Sequence, residues 1–191
     1  MINMSTIYAC FLRNDNEIMA AHILNKVAAK IAPATENNVP PQIHVELFFP
    51  DELSKDTDLV SGQACSIHYN GKVFLQRKRF SRKQWNFRSL NTTEEQYQDV
   101  LAYCEAAVGC SFNHLGYFLQ PLVSVSHDWP EVFGMKQRYY CSEICIEALK
   151  AGGVFPPKMR SQIHPQTLYA MLKDETTSAC VRDVKKISLN F

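Results

Sequence analysis

The stretch RYYCSEICIEALKAGG, residues 138–153, places a cysteine behind two tyrosines and at the first turn of a predicted amphipathic helix. The residues at helical spacing that we expect to be buried are Ile144, Cys145, Ala148 and Leu149. The N–H groups that open a helix lack partners and carry partial positive charge. They stabilise a thiolate and can also bind a negative oxygen that develops on a substrate carbonyl. Cys141 is therefore the predicted nucleophile.

A nucleophilic thiol needs a base, and His44 is the best candidate. It lies near the start of a predicted strand, QIHVELFF at residues 42–49, where it shares a face with Glu46. A carboxylate in that position can fix the histidine tautomer and stabilise the imidazolium. We therefore predict His44 as the general base and Glu46 as the third member of a triad.

Two residues on the next predicted strand are rivals for the third position. Ser66 and His68 alternate on one face of that strand, and the length of the connecting loop leaves the strand register open. Tyr140, directly before the nucleophile, is equally consistent with lining the site and with lying in the core.

The remaining pattern predicts a mixture of strands and helices. Residues 5–13 read as a strand, and residues 63–80 as two strands joined at Asn70–Gly71, where both turn positions favour positive φ. Residues 92–109 read as a helix that opens with a Thr92–Glu95 capping box. The other predicted elements are a helix at 16–31, a broken helix and loop at 110–134, a short helix at 164–172 and a final edge strand at 181–191.

Composition limits the possible functions. The chain has 191 residues, of which 46% are hydrophobic, and a formal charge of +1, so one domain spanning residues 1–191 is expected. This balance indicates no general attraction to nucleic acid or to membranes. Seven cysteines without a CxxC pair argue against a disulfide framework or a zinc ribbon. With no predicted signal peptide or membrane span, a cytoplasmic location is expected.

No cofactor or metal is expected from the sequence. It has no glycine-rich phosphate loop. The spacing of Cys104, Cys110 and His114 is loosely ligand-like, but the three straddle a predicted helix end, so a zinc site ranks low. The pattern leaves the oligomeric state open.

The order of these features resembles the circularly permuted branch of the papain-like NlpC/P60 superfamily, whose members include YiiX-like cysteine hydrolases. IHVELFF matches the histidine strand, GQACSIHYNGKVFLQRKRF the following meander, and YYCSEICIEAL the nucleophile helix. GCSFNHLGYF matches the Gly-x-x-(Tyr/Phe)-(Asp/Asn)-x-x-Gly element that precedes this helix, and HPQTLY the segment that follows it. The resemblance covers roughly residues 5–172 and implies an α+β fold, with an antiparallel sheet or barrel packed against helices.

The resemblance also implies cysteine chemistry, with Cys141 as nucleophile and His44 as base. Glu46 departs from the family pattern, in which many relatives have a small residue at that position. A thiol hydrolase acting on a peptide, amide or acyl substrate through an acyl-enzyme is the expected function. A lipid acyltransferase is an alternative within the same fold. Permuted domains of this kind occur in viruses and phages, which would place the protein in a host cytoplasm or a virion.

A non-catalytic binding module is the alternative from another class. LQRKRFSRKQWNFR, residues 75–88, interleaves basic residues with Phe80 and Trp85, as in proteins that track a phosphate backbone and stack bases. The simpler interpretation is a solvated hairpin edge whose aromatic residues face the core.

Overall fold

We describe the fold from a computed structural model, which describes residues 4–13, 26, 29–35, 39–51, 59–69, 71–119 and 125–172. The strands of the main sheet are β1 (Met4–Arg13), β2 (Gln42–Pro50), β3 (Leu59–Ile67), β4 (Val73–Ser81) and β5 (Trp85–Thr93). They form an antiparallel sheet in the order β4-β3-β2-β1-β5.

Helices follow the sheet in the sequence. They are α1 (Glu94–Ala107), α2 (His114–Leu119), a 3₁₀ helix (Trp129–Phe133), α3 (Cys141–Ala151) and α4 (Pro165–Met171). Two short strands, β6 (Ser111–Phe112) and β7 (Arg138–Tyr139), pair in parallel and lead into α2 and α3. The fold is therefore α+β, as the sequence predicts. The predicted helix at 16–31 and strand at 181–191 lie largely or wholly outside the described residues.

The strand predictions for residues 5–13, 42–49 and 63–80 are confirmed. The predicted hairpin is confirmed, since β3 and β4 pair as antiparallel strands, but the expected positive φ at Gly71 is wrong. Asn70 lies outside the described residues. No strand is predicted for residues 85–93, where the structure has β5. This strand follows β4 after a tight turn yet pairs with β1. Residues 85–88 alternate apolar and polar side chains, a short signal that could have revealed the start of the strand.

Helix α1 opens one residue later than predicted. Thr93 is the N-cap, and its capping-box partner is Gln96, in place of Thr92 and Glu95. Thr92 belongs to β5, where its hydroxyl donates to the carbonyl of Ser5. The prediction for α3 is confirmed, since its four expected apolar residues are all buried.

The two faces of the sheet belong to different cores. Val45, Leu47 and Phe49 of β2 lie in the large core, which also contains the buried face of α3. Phe48 lies on the other face, in a small core with Phe80. His44 and Glu46 have the same parity in β2 as Phe48, so the strand directs them to the small-core face.

Helix α3 is tied closely to the sheet and to α1. The thiol of Cys145 lies 3.9 Å from the carbonyl oxygen of Val45 in β2. At the other end of α3, a Cβ on Gly152 would lie 2.4 Å from Val100 and 2.7 Å from the carbonyl oxygen of Gln96. This close approach holds the C-terminal end of α3 against α1.

Across the described part of the chain, no helix is both long enough and apolar enough to cross a bilayer.

Candidate active site

His44 lies where the β1–β2 ladder becomes irregular. It pairs with Leu12, and the register shifts between Leu12 and Arg13, immediately beside it. Bulges of this kind bend a strand and re-aim its side chains. The imidazole is 14% exposed, and its ring lies 6.2 Å from that of Trp85. The first residues of β2 therefore place His44 at a partly open edge of the small core.

Cys141 is the first residue of α3, as predicted, and is 6% exposed. Tyr140 is the N-cap residue and has an extended backbone, with φ −118° and ψ 172°. The thiol is near enough to the His44 side chain to raise the pKa of the imidazole. On the other side of the ring, Nε2 of His44 lies 3.3 Å from Oε1 of Glu46. The structure thus brings Cys141, His44 and Glu46 together.

The environment of His44 favours its charged form. Burial by itself lowers the pKa of an imidazole, because it removes the cation from water. Here that effect is outweighed by hydrogen bonds to Cys141 and Glu46 and by their negative charges, which together raise the pKa of His44 from 6.5 to about 9. Near neutral pH the imidazole of His44 is therefore protonated.

Glu46 is fully buried and is neutralised by a second cation. The Nζ atom of Lys78, in β4, lies 2.8 Å from each carboxylate oxygen of Glu46. Burial acts to raise the pKa of this carboxyl, but His44 and Lys78 together lower it below its ordinary value. Lys78 is itself held 4.6 Å above the ring of Phe74. A buried glutamate without a partner would be costly, and these contacts remove that cost.

Sequence reasoning missed Lys78 as a site residue and treated it only as part of a basic run. The available signal was its position between Phe74 and Phe80, at even spacing in β4. A charge on the inward-facing side of a strand needs a buried partner of opposite sign. Finding that partner requires the sheet register, which pairs Gly62 with Lys78.

The rivals for the third position have other contacts. Ser66 is buried and donates its hydroxyl to the carbonyl of Val45, 2.7 Å away. His68 stacks on His44, with ring centroids 5.4 Å apart, and on Phe74. Burial, with the charges of His44 and Lys78, lowers the pKa of His68, so it presents a neutral face to the site. Of the three candidates, Glu46 lies within hydrogen-bonding distance of His44, whereas His68 contacts it by ring stacking and Ser66 bonds to Val45.

Tyr140 is buried, 1% exposed, with its ring 6.1 Å from that of Tyr117. No hydrogen-bond partner for its hydroxyl occurs within the described residues. Burial raises its pKa far above the ordinary value, so the hydroxyl keeps its proton. It is a free donor adjacent in sequence to Cys141.

Glu143 anchors the first turn of α3. The carboxylate interacts with the backbone of Tyr140, the N-cap residue, as in a capping box. It also accepts hydrogen bonds from Gln162, at 2.9 Å, and from Asn113, at 3.3 Å. Burial outweighs these bonds and raises the pKa of Glu143 to about 7.

Asn113 explains the Gly-x-x-Phe-Asn-x-x-Gly element. Its Oδ1 accepts from the N–H of Gly116, at 2.9 Å, and from the indole of Trp129. A Cβ on Gly116 would lie 2.4 Å from the Asn113 amide, so only glycine fits. The element therefore connects α2 and the 3₁₀ helix to Glu143 at the base of the nucleophile helix.

Glu143 gives a stability prediction. A pKa raised from 4.5 to about 7 means that its contribution to folding is present below pH 4.5 and is lost as pH rises through 7. The loss should be about 3 kcal/mol. Urea unfolding at pH 5 and pH 8 measures this difference. We expect the free energy of unfolding of Glu143→Gln to fall much less between the two pH values than that of the wild type. The exposed Glu105→Gln is the control and should leave the loss unchanged. An unaltered pH dependence in Glu143→Gln would contradict the account.

The loosely ligand-like set of Cys104, Cys110 and His114 does not form a metal-ligand cluster within the described residues. No cluster of three or more histidine, cysteine, aspartate or glutamate side chains suited to a metal occurs in the described ranges.

The fold and the site define an α+β protein with a cysteine, a histidine and a glutamate in contact. Comparison with family models, with curated proteins and with solved structures finds no match to this chain.

Proposed function

We propose that this protein is a thiol hydrolase, a cysteine peptidase or amidohydrolase, with a permuted papain-like fold of the NlpC/P60 type. The observation that carries the proposal is the half-buried His44, which interacts with Cys141 and lies 3.3 Å from the Glu46 carboxylate. Grouping three ionisable side chains in this way costs desolvation energy. Such costs are typical of catalytic sites, where shifted pKa values serve the chemistry.

In the proposed reaction, the Cys141 thiolate attacks the carbonyl carbon of an amide or ester. The electron pair of the C=O bond moves to oxygen, and the resulting oxyanion faces the unpaired N–H groups at the start of α3. The hydroxyl of Tyr140 offers a further donor. His44 then gives its proton to the leaving nitrogen or oxygen as the carbon–heteroatom bond breaks, which leaves a thioester on Cys141 and a neutral imidazole.

Water completes the cycle. The neutral His44 takes a proton from a water molecule, the resulting hydroxide attacks the thioester, and the acid product leaves as the thiolate is restored. Glu46 keeps the imidazole oriented and favours its protonated form. Lys78 holds Glu46 in place, so we assign it a positioning role.

The non-catalytic alternative, a module that stacks nucleic-acid bases, is less well supported. Phe80 is 1% exposed, and the ring of Trp85 packs 4.8 Å from it. The aromatic residues of the basic stretch therefore belong to the small core and are not free to stack on bases.

Trapping the acyl-enzyme tests the proposal. The protein is mixed with p-nitrophenyl acetate, quenched in acid and read by peptide mass spectrometry. We expect one acetyl group, as a hydroxylamine-sensitive thioester, on the peptide that contains Cys141. Acetylation confined to lysine side chains, or spread evenly over the cysteines, would count against a thiol hydrolase.

A further inference from the structure

Within the residues that the structure describes, the outer edge of β4 has backbone groups without a strand partner. In an antiparallel ladder, the N–H and C=O of alternate residues point away from the partner strand. Val73 shows which residues these are, because its N–H donates to Cys110 and its C=O accepts from Gly109, both outside the sheet. The residues with the same parity are Leu75, Arg77 and Arg79. Within the described residues, β3 is the only strand that pairs with β4 over this stretch.

Basic side chains line the same edge. Ser61, Arg77, Lys78 and Arg79 surround a surface cleft of about 190 Å³. The guanidinium of Arg77, 71% exposed, already binds the carboxylate of Asp51 at 2.5 Å. Arg79 is exposed and forms no ion pair with any described residue. The edge therefore offers a hydrogen-bonding strand and cationic side chains that match a carboxylate.

The edge leads toward the candidate active site. Phe74, next to Leu75, stacks on His68 at 4.9 Å, and His68 stacks on His44. From Arg79 to Phe74 is about 17 Å along the strand, at roughly 3.3 Å per residue. The backbone N–H and C=O of Val73 are already hydrogen-bonded to Cys110 and Gly109. A strand added to this edge therefore has to leave it at Leu75. At Leu75 the added strand is next to Phe74, whose ring stacks on His68, which in turn stacks on His44.

We infer that the β4 edge is the docking site for an extended polypeptide with acidic side chains at alternate positions. Such a segment adds a strand to β4 through Leu75, Arg77 and Arg79, and its carboxylates face the two arginines, which share one face of the strand. The docking site stands on the edge geometry. Only its role as the substrate site rests on the proposed hydrolase function.

Fluorescence anisotropy with the full-length Cys141→Ala variant tests the docking. The probes are a fluorescein-labelled ten-residue peptide of alternating threonine and glutamate, its lysine counterpart, its backbone N-methylated form and a single-stranded oligodeoxythymidine. We expect only the unmethylated acidic peptide to bind. Binding should fall roughly tenfold or more in Arg77→Glu/Arg79→Glu, because both cationic contacts reverse sign.

A charge-matched variant, Lys136→Glu/Lys158→Glu, should leave binding unchanged, and circular dichroism confirms that each variant is folded. Equal binding by the arginine variant, binding of the N-methylated peptide, or binding of the oligonucleotide in preference to the peptide would overturn the inference. So would the absence of binding by any probe, which would leave the arginines with the sole role of preventing edge-to-edge association. If the peptide binds but Cys141 forms no acyl-enzyme in the wild-type protein, the docking site stands and the hydrolase proposal fails.

Discussion

Replacing Cys141 with serine is expected to lower the turnover of an activated ester by at least about a thousandfold. Serine preserves the size of the side chain and its place at the start of α3, but its hydroxyl does not ionise near neutral pH. The Glu46 carboxylate still lies beside His44 in the variant and favours the protonated ring, so His44 is a poor acceptor for the hydroxyl proton. A site that works through a thiolate–imidazolium pair therefore cannot use serine. Steady-state release of p-nitrophenolate from p-nitrophenyl acetate measures the effect.

Cys145→Ala provides the matched control, because Cys145 lies one turn further along the same helix. It is buried, and that burial raises the pKa of its thiol well above the ordinary value, so it has no part in the proposed chemistry. Turnover should stay within about threefold of wild type, a change of under 1 kcal/mol in barrier. If Cys141→Ser were as active as Cys145→Ala, the assignment of Cys141 as the nucleophile would be wrong.

Replacing Lys78 with methionine is expected to lower the free energy of unfolding at pH 7 by about 3 kcal/mol. The substitution leaves the buried Glu46 carboxylate with His44 as its only cation. In the wild type the pKa of Glu46 is below 4.5, so its contribution to stability is present above pH 4.5 and is lost as pH falls through the folded value. Without Lys78 that contribution is smaller, because only His44 still lowers the pKa of the carboxyl. The difference between the two proteins should therefore shrink as pH falls below 4.5.

Urea unfolding at pH 7 and pH 4 measures this difference, with the exposed Lys72→Met at the start of the same hairpin arm as control. The double variant Glu46→Gln/Lys78→Met should recover part of the lost stability, because it removes the unpaired charge. A destabilisation by Lys78→Met that is the same at both pH values, or no larger than that of Lys72→Met, would contradict the buried ion pair.

The local parts of the site could be predicted from the sequence. Cys141 sits at a helix start because residues 141–151 have helical periodicity, and Glu46 shares a face with His44 because strand side chains alternate. Both rules act over a few residues. They were sufficient to nominate the nucleophile, the base and the carboxylate before any contact between the segments was known.

The non-local parts could not be predicted in this way. The pairing of β5 with β1, and not with β4, depends on how the whole sheet closes, and local alternation carries no information about it. The approach of Lys78 to Glu46 spans 32 residues of sequence and depends on the β3–β4 register. The choice of Glu46 over Ser66 and His68 likewise required the contacts of all three.

The most direct test of the account is the pH dependence of iodoacetamide alkylation at each cysteine, read by peptide mass spectrometry on the native protein and on His44→Ala. Cys10, Cys104 and Cys145 have raised pKa values, for which burial and, at Cys104, a hydrogen bond to Cys65 are responsible, so they should stay unreactive. We predict that Cys141 reacts rapidly below pH 7 in the wild type. In His44→Ala it should react slowly until the pH approaches about 8.5, the ordinary thiol value. Alkylation of Cys141 that is no faster than that of Cys145, or that is unchanged in His44→Ala, would contradict the thiolate–imidazolium pair and the hydrolase function built on it.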